Sequence, residues 1–477
     1  MSFNQTASQK YFIGVDTGGT YTDAAIIEAS SHQVIATSKA ITTKGDLSVG
    51  VVQAIELAIA KLPQHIHPAQ VNLLSVSTTL ATNAVVEGHG SAVGVILIGF
   101  DDDMIKRTGI QQAFPGMQIC RVQGGHDHSG YAVQALDEES LSQQVLAIAP
   151  KVDAFAISSR FAVRNSAHEI QARDLIIQLT GKPVTLSTEL SSNLDAPRRA
   201  LTATLNARLI SRVSYLIEAV SKAMQHLSIQ CPLMIVKGDG TLALAESVLK
   251  RPIETVLSGP AASMVGAKWL SGLDNFLMSD MGGTTTDLGV LLNGRPKVTE
   301  EGADVGGWRT MVRAVDIKTV GLGGDSEVHL GSNGAITVGP ERAVPISLLA
   351  HIYPETIQLL QADLDDVDRG GSMHGKFVLL PFGSSSTQSF STHDMTEREA
   401  QVLAKIKVNP QPLRKIADSL PAQKAVVSLR KKGLIQLATF TPSDAAHVLE
   451  LQNNWNSQAA LMAAQLLVRF KEMRMPT

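Results

Sequence analysis

Two aspartates, Asp16 and Asp280, stand in the same chemical setting 264 residues apart. The segment Phe12 to Asp23 (FIGVDTGGTYTD) recurs as Phe276 to Asp287 (FLMSDMGGTTTD), with seven of twelve positions identical. Each copy closes an apolar run on an Asp, turns through Gly-Gly-Thr and enters a second apolar run after another Asp. A Gly pair in a turn admits positive φ and lets backbone N–H groups approach a ligand closely, making a concavity suited to phosphate oxygens. Thr17, Gly18, Gly19 and Thr20 in the first copy, and Gly282, Gly283, Thr284 and Thr285 in the second, are placed to supply those donors. A carboxylate at a strand end beside such a turn is a hard oxygen ligand for Mg2+, directly or through water. Asp16 and Asp280 are therefore candidate metal ligands and candidate catalytic groups, one of which would orient an attacking hydroxyl or water. A single Gly-rich turn reads as hairpin punctuation. Retention of both carboxylates and the following Thr in two copies exceeds what turn chemistry requires.

Four further segments carry candidate chemistry. In VGLGGDSEV (Val320 to Val328), Gly321, Gly323 and Gly324 would allow close backbone approach to the nucleoside and α-phosphate of a nucleotide. Thr79, Thr82, Asn83 and Glu87 follow a strand at Leu73 to Ser77, at the carboxyl end where α/β ligands bind, and are candidate substrate contacts. N-capping by Thr78 or Thr79 explains part of the same pattern. GGHDHSG gathers His126, Asp127 and His128, all of metal-ligating type; adjacent ligands are awkward, so a metal there needs distant partners such as His168 or Glu169, and a plain polar loop accounts for the segment equally. SGPAAS (Ser258 to Ser263) leads small residues into a helix, as close packing beside a nucleotide or a plain turn would need.

The elements that position these residues are legible in outline. Apolar stretches at Tyr11 to Val15, Ala24 to Glu28 and Val34 to Thr37, split by turn residues, predict a three-stranded meander. Asp46 then caps a helix whose apolar residues recur at helical spacing until Pro63. Strands at Leu73 to Ser77, Val93 to Ile98 and Ala154 to Ser158 alternate with helices, which argues an α/β class. A helix over about Pro197 to Met224 leads to a strand at Leu233 to Val236, and a boundary falls near Gly181 to Ser192. The predicted division is 10–185, 186–383, 396–445 and a C-terminal helix over 446–477.

After a polar stretch, Gly383 to Asp394, that reads as a linker, three helical segments and a strand at Leu434 to Phe440 follow in a winged-helix order. Thr396 to Gln436 holds nine Lys or Arg against three Asp or Glu. That excess alone does not outweigh a net charge of −3, so nucleic acid is not the expected partner. At 477 residues the chain needs more than one core. Cys120 and Cys231 are too few for a disulfide framework, and MSFNQTASQK lacks an apolar signal core, so the expected location is the cytoplasm.

The paired DxGGTxTD hairpins and the later Gly-Gly loop resemble the phosphate-1, phosphate-2 and adenosine motifs of the actin/hexokinase/Hsp70 superfamily. That resemblance implies an α/β fold of two RNase-H-like domains closing on ATP and Mg2+ in a cleft, here with a C-terminal winged-helix-like module. More narrowly, GVDTGGTYTD, STTLATNAVVEG (Ser77 to Gly88) and LSGPAASMVGAK (Leu257 to Lys268) running into SDMGGTTTDLGV are similar, in order and spacing, to the hydantoinase A / 5-oxoprolinase family. The family resemblance implies ATP-dependent opening of cyclic amides through phosphoryl transfer to a carbonyl oxygen, with relatives acting as subunits of ketone carboxylases. It also implies that Asp16 and Asp280 hold Mg2+, that the Gly and Thr residues of both turns cradle phosphates, and that a hydantoinase B-like subunit completes the reaction. A homo-oligomer is compatible with it. A small-molecule kinase and a non-catalytic ATPase switch are alternatives on the same fold. Asp325 and Ser326 stand where the studied hydrolases usually carry Gly, and Asp325 would there reach a ribose or a metal.

Overall fold

A computed structural model describes residues 10–18, 21–43, 46–86, 90–331, 335–366, 373–381, 395–406 and 409–474. The chain forms two compact units, Met1–Met278 with Gly289–Lys318, and Ser279–Leu288 with Thr319–Thr477. The class is mixed α/β. Among the described residues no helix is long and apolar enough to cross a membrane.

The first unit opens with the expected meander, β1 (Tyr11–Thr17), β2 (Tyr21–Glu28) and β3 (Val34–Ile41). Alternation along β1 buries Tyr11, Ile13 and Val15 and leaves Phe12 exposed, the period-2 signature of a strand with one face in the core. Asp46 caps the helix Leu47–Ala60, its carboxylate accepting the Ser48 N–H at 3.0 Å. That helix, packed on the meander, leads to β4 (Val71–Thr78), which lies parallel to β1. A second sheet follows from β5 (Val93–Ile98), β6 (Gln118–Val122), β7 (Ala154–Ser159) and β8 (Val184–Leu186), in the order β6-β5-β7-β8 and all parallel. Every residue of β5 and β7 is buried, as expected of parallel strands covered on both faces. Strands β9 (Leu233–Val236) and β10 (Leu242–Leu244) extend the first sheet to the order β10-β9-β4-β1-β2-β3.

The stretch Gly181 to Ser192, where a boundary is expected from sequence, lies inside this compact unit. The reason is the helix Ala196–His226, whose 31 residues span roughly 45 Å. Its first half, through Ala200, Ala203, Leu205 and Leu209, completes the core beneath β5 and β7. Its second half, through Val213, Leu216, Val220 and Met224, completes the core of the six-stranded sheet. One helix thus serves both sheets.

The helix Ser258–Ser271 precedes β11 (Phe276–Met281), β12 (Thr286–Leu292) and the two-residue β13 (Arg295–Pro296). A small hairpin, β14 (Asp304–Val305) with β15 (Trp308–Arg309), precedes β16 (Ile317–Val320), which pairs with β12. The chain passes from one unit to the other within β11, β12 and β16.

The second unit contains the hairpin β17 (Ser326–Leu330) with β18 (Ile336–Arg342) and a sheet of β19 (Val344–Pro345), β20 (Phe377–Leu379), β21 (Gln411–Pro412) and β22 (Gln436–Thr439), in the order β19-β22-β20-β21. Residues of 396–445 share cores with the strand that precedes them. Val378 and Leu380 enter the same core as the helices Glu397–Lys405 and Leu420–Lys431, while Phe377 and Leu379 enter the core of the helix Ser457–Arg474. Strand alternation makes β20 the shared floor of both helical layers. The expected linker, Gly383 to Asp394, lies outside the described residues.

Candidate functional site

In the first unit the turn after β1 is closed by the Gly18 N–H donating to the Tyr21 carbonyl at 2.9 Å. A Cβ at Gly18 would lie 3.0 Å from that carbonyl oxygen, so the turn is tight enough to favour glycine. The Thr42 hydroxyl donates to the Gly18 carbonyl at 3.1 Å and is 3.0 Å from the Thr22 hydroxyl, tying the turn to the end of β3. Asp16 is exposed at the carboxyl end of β1, opposite Asp23 on β2 and Ser77 on β4. The Ser77 hydroxyl donates to Asp16 Oδ1. Thr17, expected to meet phosphate, is fully buried between Thr22 and Thr78. Gly19 and Thr20 lie outside the described residues.

The segment after β4 works on the helix Ser258–Ser271. Thr78 N–H donates to Ser258 Oγ at 3.2 Å, and that hydroxyl donates to the Thr78 carbonyl at 3.0 Å. Leu257 precedes the helix at φ 61°, a conformation rare for a branched residue, and its N–H donates to Thr82 Oγ1 at 3.0 Å. A Cβ on Gly259 would sit 3.8 Å from Asp16 Oδ1, so the SGPAAS segment lies against the first carboxylate. Of the expected substrate contacts, Thr82 is thereby committed to the backbone, and Asn83 donates its amide to Thr79 Oγ1 at 3.2 Å. Glu87 lies outside the described residues.

The second unit repeats the turn. Gly282 N–H donates to the Thr285 carbonyl at 2.9 Å, the same bond at the same 264-residue offset. Asp280 is exposed at the equivalent strand position. The second aspartate of this copy, Asp287, accepts from the Thr319 hydroxyl at 2.6 Å. Burial pushes the Asp287 carboxyl up, the Thr319 bond opposes this, and the negative charge of Asp280 adds to the rise. The Gly-rich loop closes onto this turn: Gly324 N–H donates to the Gly282 carbonyl at 2.9 Å and Asp325 N–H to the Gly283 carbonyl at 2.6 Å. A Cβ on Gly323 would stand 2.6 Å from the Gly283 oxygen and 2.7 Å from that of Gly282. Gly321 has nothing within 4 Å of such a position. Thr284 and Thr285 are partly exposed.

The side chains of His126, Asp127 and His128 do not converge. The His126 ring is buried against His168, with centroids 4.3 Å apart, while His128 is exposed. Asp127 Oδ1 accepts the N–H groups of Ser129 and Tyr131 at 2.9 and 3.0 Å and so folds its own loop. His168 Nδ1 accepts the Gly125 N–H at 2.9 Å. Burial pushes both imidazoles toward the neutral form, and their mutual proximity lowers His168 further. Among the described residues no group of three or more His, Cys, Asp or Glu is arranged to hold a metal ion. In this structure His126 packs on His168 and Asp127 folds its own loop. Ser77, Thr42 and Thr319 hold these turns and carboxylates without a local signal: Ser77 opens the segment STTLATNAVVEG, and the other two carry no pattern of their own.

Residues 12–179 match the hydantoinase/oxoprolinase N-terminal region, and residues 199–353 match hydantoinase/oxoprolinase. Caprolactamase subunit alpha of Pseudomonas jessenii is 27% identical over 359 residues, 71% of this chain and 51% of that subunit. The acetophenone carboxylase gamma subunit of Aromatoleum aromaticum is 24% identical over 69% of this chain and 49% of its own. 5-Oxoprolinase 1 of Arabidopsis thaliana is 26% identical over 69% of this chain and 29% of its own. The chain thus spans about half the length of caprolactamase subunit alpha and of the acetophenone carboxylase gamma subunit. Nucleotide-free acetone carboxylase superposes with a TM-score of 0.61 at 20% identity, over 93% of this chain and 61% of that one. The ATP-dependent caprolactamase from Pseudomonas jessenii gives 0.58 at 21%, over 97% and 63%. These two superpositions show a shared fold. With one matched region holding the first Gly-Gly-Thr turn and the other holding the second turn and its Gly-rich loop, the chain belongs to the hydantoinase/oxoprolinase family.

Proposed function

We propose that this chain is the nucleotide-using subunit of an ATP-dependent enzyme that activates the carbonyl oxygen of a cyclic amide, a hydantoin, oxoproline or related lactam, for ring opening. The observation that carries the reading is the repeated turn: an exposed Asp ends the strand, and the same N–H to carbonyl bond closes the Gly-Gly-Thr turn in both copies. The caprolactamase and 5-oxoprolinase relatives favour the lactam class. The strand order β3-β2-β1-β4-β9 supports an RNase-H-like first domain.

ATP and Mg2+ suit these residues. The fitting features are the exposed carboxylates of Asp16 and Asp280 beside glycine turns, hard oxygen ligands for Mg2+, and the partly exposed Thr284 and Thr285. In the first unit Gly18 would meet a phosphate and Asp16 a Mg2+ ion, directly or through its waters; in the second unit, taken by itself, Gly282, Gly283, Thr284 and Thr285 would meet phosphate, Asp280 would meet Mg2+, and Gly323 and Gly324 would lie along a nucleoside. ATP supplies the phosphoryl group that makes a resonance-stabilised amide carbon open to attack. The chain's part is to orient the carbonyl oxygen and to keep water away until the partner subunit is reached. Relatives named as alpha, beta and gamma subunits favour such a partner, of hydantoinase B-like kind.

A second reading, a carboxylase subunit that activates a ketone or bicarbonate oxygen, is favoured by the acetophenone and acetone carboxylase relatives. Phosphate release from MgATP, measured across lactams, hydantoins, ketones with bicarbonate, and sugars, separates the two. Stimulation by lactams or hydantoins supports the first reading and by ketones the second. Stimulation by sugars alone would sink both.

A further inference from the structure

We propose that Ser77 is a positioning residue for Asp16, so that β4 acts on the first hairpin from behind. The inference rests on the reading of Asp16 as a ligand of Mg2+-nucleotide. Asp16 and Ser77 are register partners in the parallel pairing of β1 with β4, and Ser77 is 2% exposed. Its hydroxyl donates to Asp16 Oδ1; the Val15 carbonyl is 3.4 Å away, at the long limit of a hydrogen bond.

The donor is itself held in place. The next residue, Thr78, is bonded through both its N–H and its carbonyl to Ser258 Oγ, at 3.2 and 3.0 Å, so the end of β4 cannot slide along β1 without breaking both. Gly259, one residue on, brings the start of its helix to within 3.8 Å of Asp16 Oδ1, measured from a Cβ position. One carboxylate oxygen is therefore turned toward a hydroxyl donor and a helix start. A hydrogen bond to an ionised carboxylate is among the stronger kinds and selects one side-chain rotamer. In the second copy the Thr319 hydroxyl donates to Asp287, the counterpart of Asp23.

The test is ATP binding by the full chain, followed by calorimetry at a series of Mg2+ concentrations, with thermal melting in parallel. Ser77→Ala should raise the Mg2+ concentration for half-maximal ATP binding about tenfold, the loss expected for a hydrogen bond to a charged group, with ATP binding in the absence of Mg2+ unchanged. Ser77→Thr, which keeps the hydroxyl, should restore the wild-type requirement. Ser77→Cys keeps the volume and weakens the donor, and should reproduce the alanine shift if alanine proves unstable. Asp16→Asn supplies the reference. If it raises the Mg2+ requirement and neither Ser77→Ala nor Ser77→Cys does, the positioning role is overturned and the reading of Asp16 stands. If Asp16→Asn itself leaves the requirement unchanged, the reading of Asp16 fails and the inference with it.

Discussion

Asp325 donates its backbone N–H to the carbonyl of Gly283 at 2.6 Å, joining the Gly-rich loop to the second hairpin turn. With the parallel bond from Gly324 to Gly282, it leaves Gly323 no space for a side chain. Gly323→Ala must therefore push loop and turn apart. We expect a loss of about 2 kcal/mol of stability, typical of overpacking, together with weaker ATP binding. Gly321→Ala, with open space around it, should melt as the wild type does. Equal melting temperatures for the two variants would show that the loop yields more easily than its bonds imply.

Asp280→Asn should lower ATP turnover by about two orders of magnitude, as loss of a metal ligand or a preorganised charged group does. The nucleotide-free chain should not be destabilised. Asp280's charge opposes that of Asp287, whose carboxyl is already pushed up by burial, so neutralising it should raise stability by about 0.5 kcal/mol. Phosphate release and calorimetry read the two effects separately. A variant that loses stability and turnover in parallel would mark Asp280 as structural.

Glu327 predicts how the second unit responds to acid. Its buried carboxylate lies 3.0 Å from Lys376 Nζ and 2.8 Å from Arg430 Nη1. Burial pushes this carboxyl up, but the two cations outweigh it and hold it below its ordinary value of 4.5. A depressed carboxylate stabilises the fold above its unfolded pKa, and that stability disappears as pH falls through the folded value. Glu327→Gln should then cost about 3 kcal/mol near pH 7, because two cations lose their partner. Unfolding curves of both proteins should converge as pH drops below 4.5. A constant gap across that range would refute the linkage.

Removing Thr396 to Phe440 should unfold the second unit. β22 is an interior strand between β19 and β20, and the helices Glu397–Lys405 and Leu420–Lys431 share a core with Val378 of β20 and with Leu380 just beyond it. Their loss would bare an apolar sheet face. Calorimetry of the shortened chain should lack the unfolding transition of the second unit. A retained transition of full enthalpy would restore the picture of a detachable module.

Much of this was legible in the residues themselves. The duplicated DxGGTxTD segments, the meander, the Asp46 cap and the strands Val93–Ile98 and Leu233–Val236 follow from local chemistry: turn residues, alternation and capping act within a few positions along the chain. Other features depend on residues far apart in sequence. Nothing local tells that Ser77 donates to Asp16, that Thr319 donates to Asp287, or that His126 packs on His168. Unit extents were illegible for the same reason. The helix Ala196–His226 looks like the start of a new domain until its two halves are seen to fill two different cores. The helices beyond Thr396 look self-contained until β20 is seen beneath them. Sequence by itself determined which groups could do chemistry and the turns that present them. Tertiary structure alone decided which neighbours hold those groups and where each unit ends, because burial and strand register are set by surfaces meeting across the whole chain.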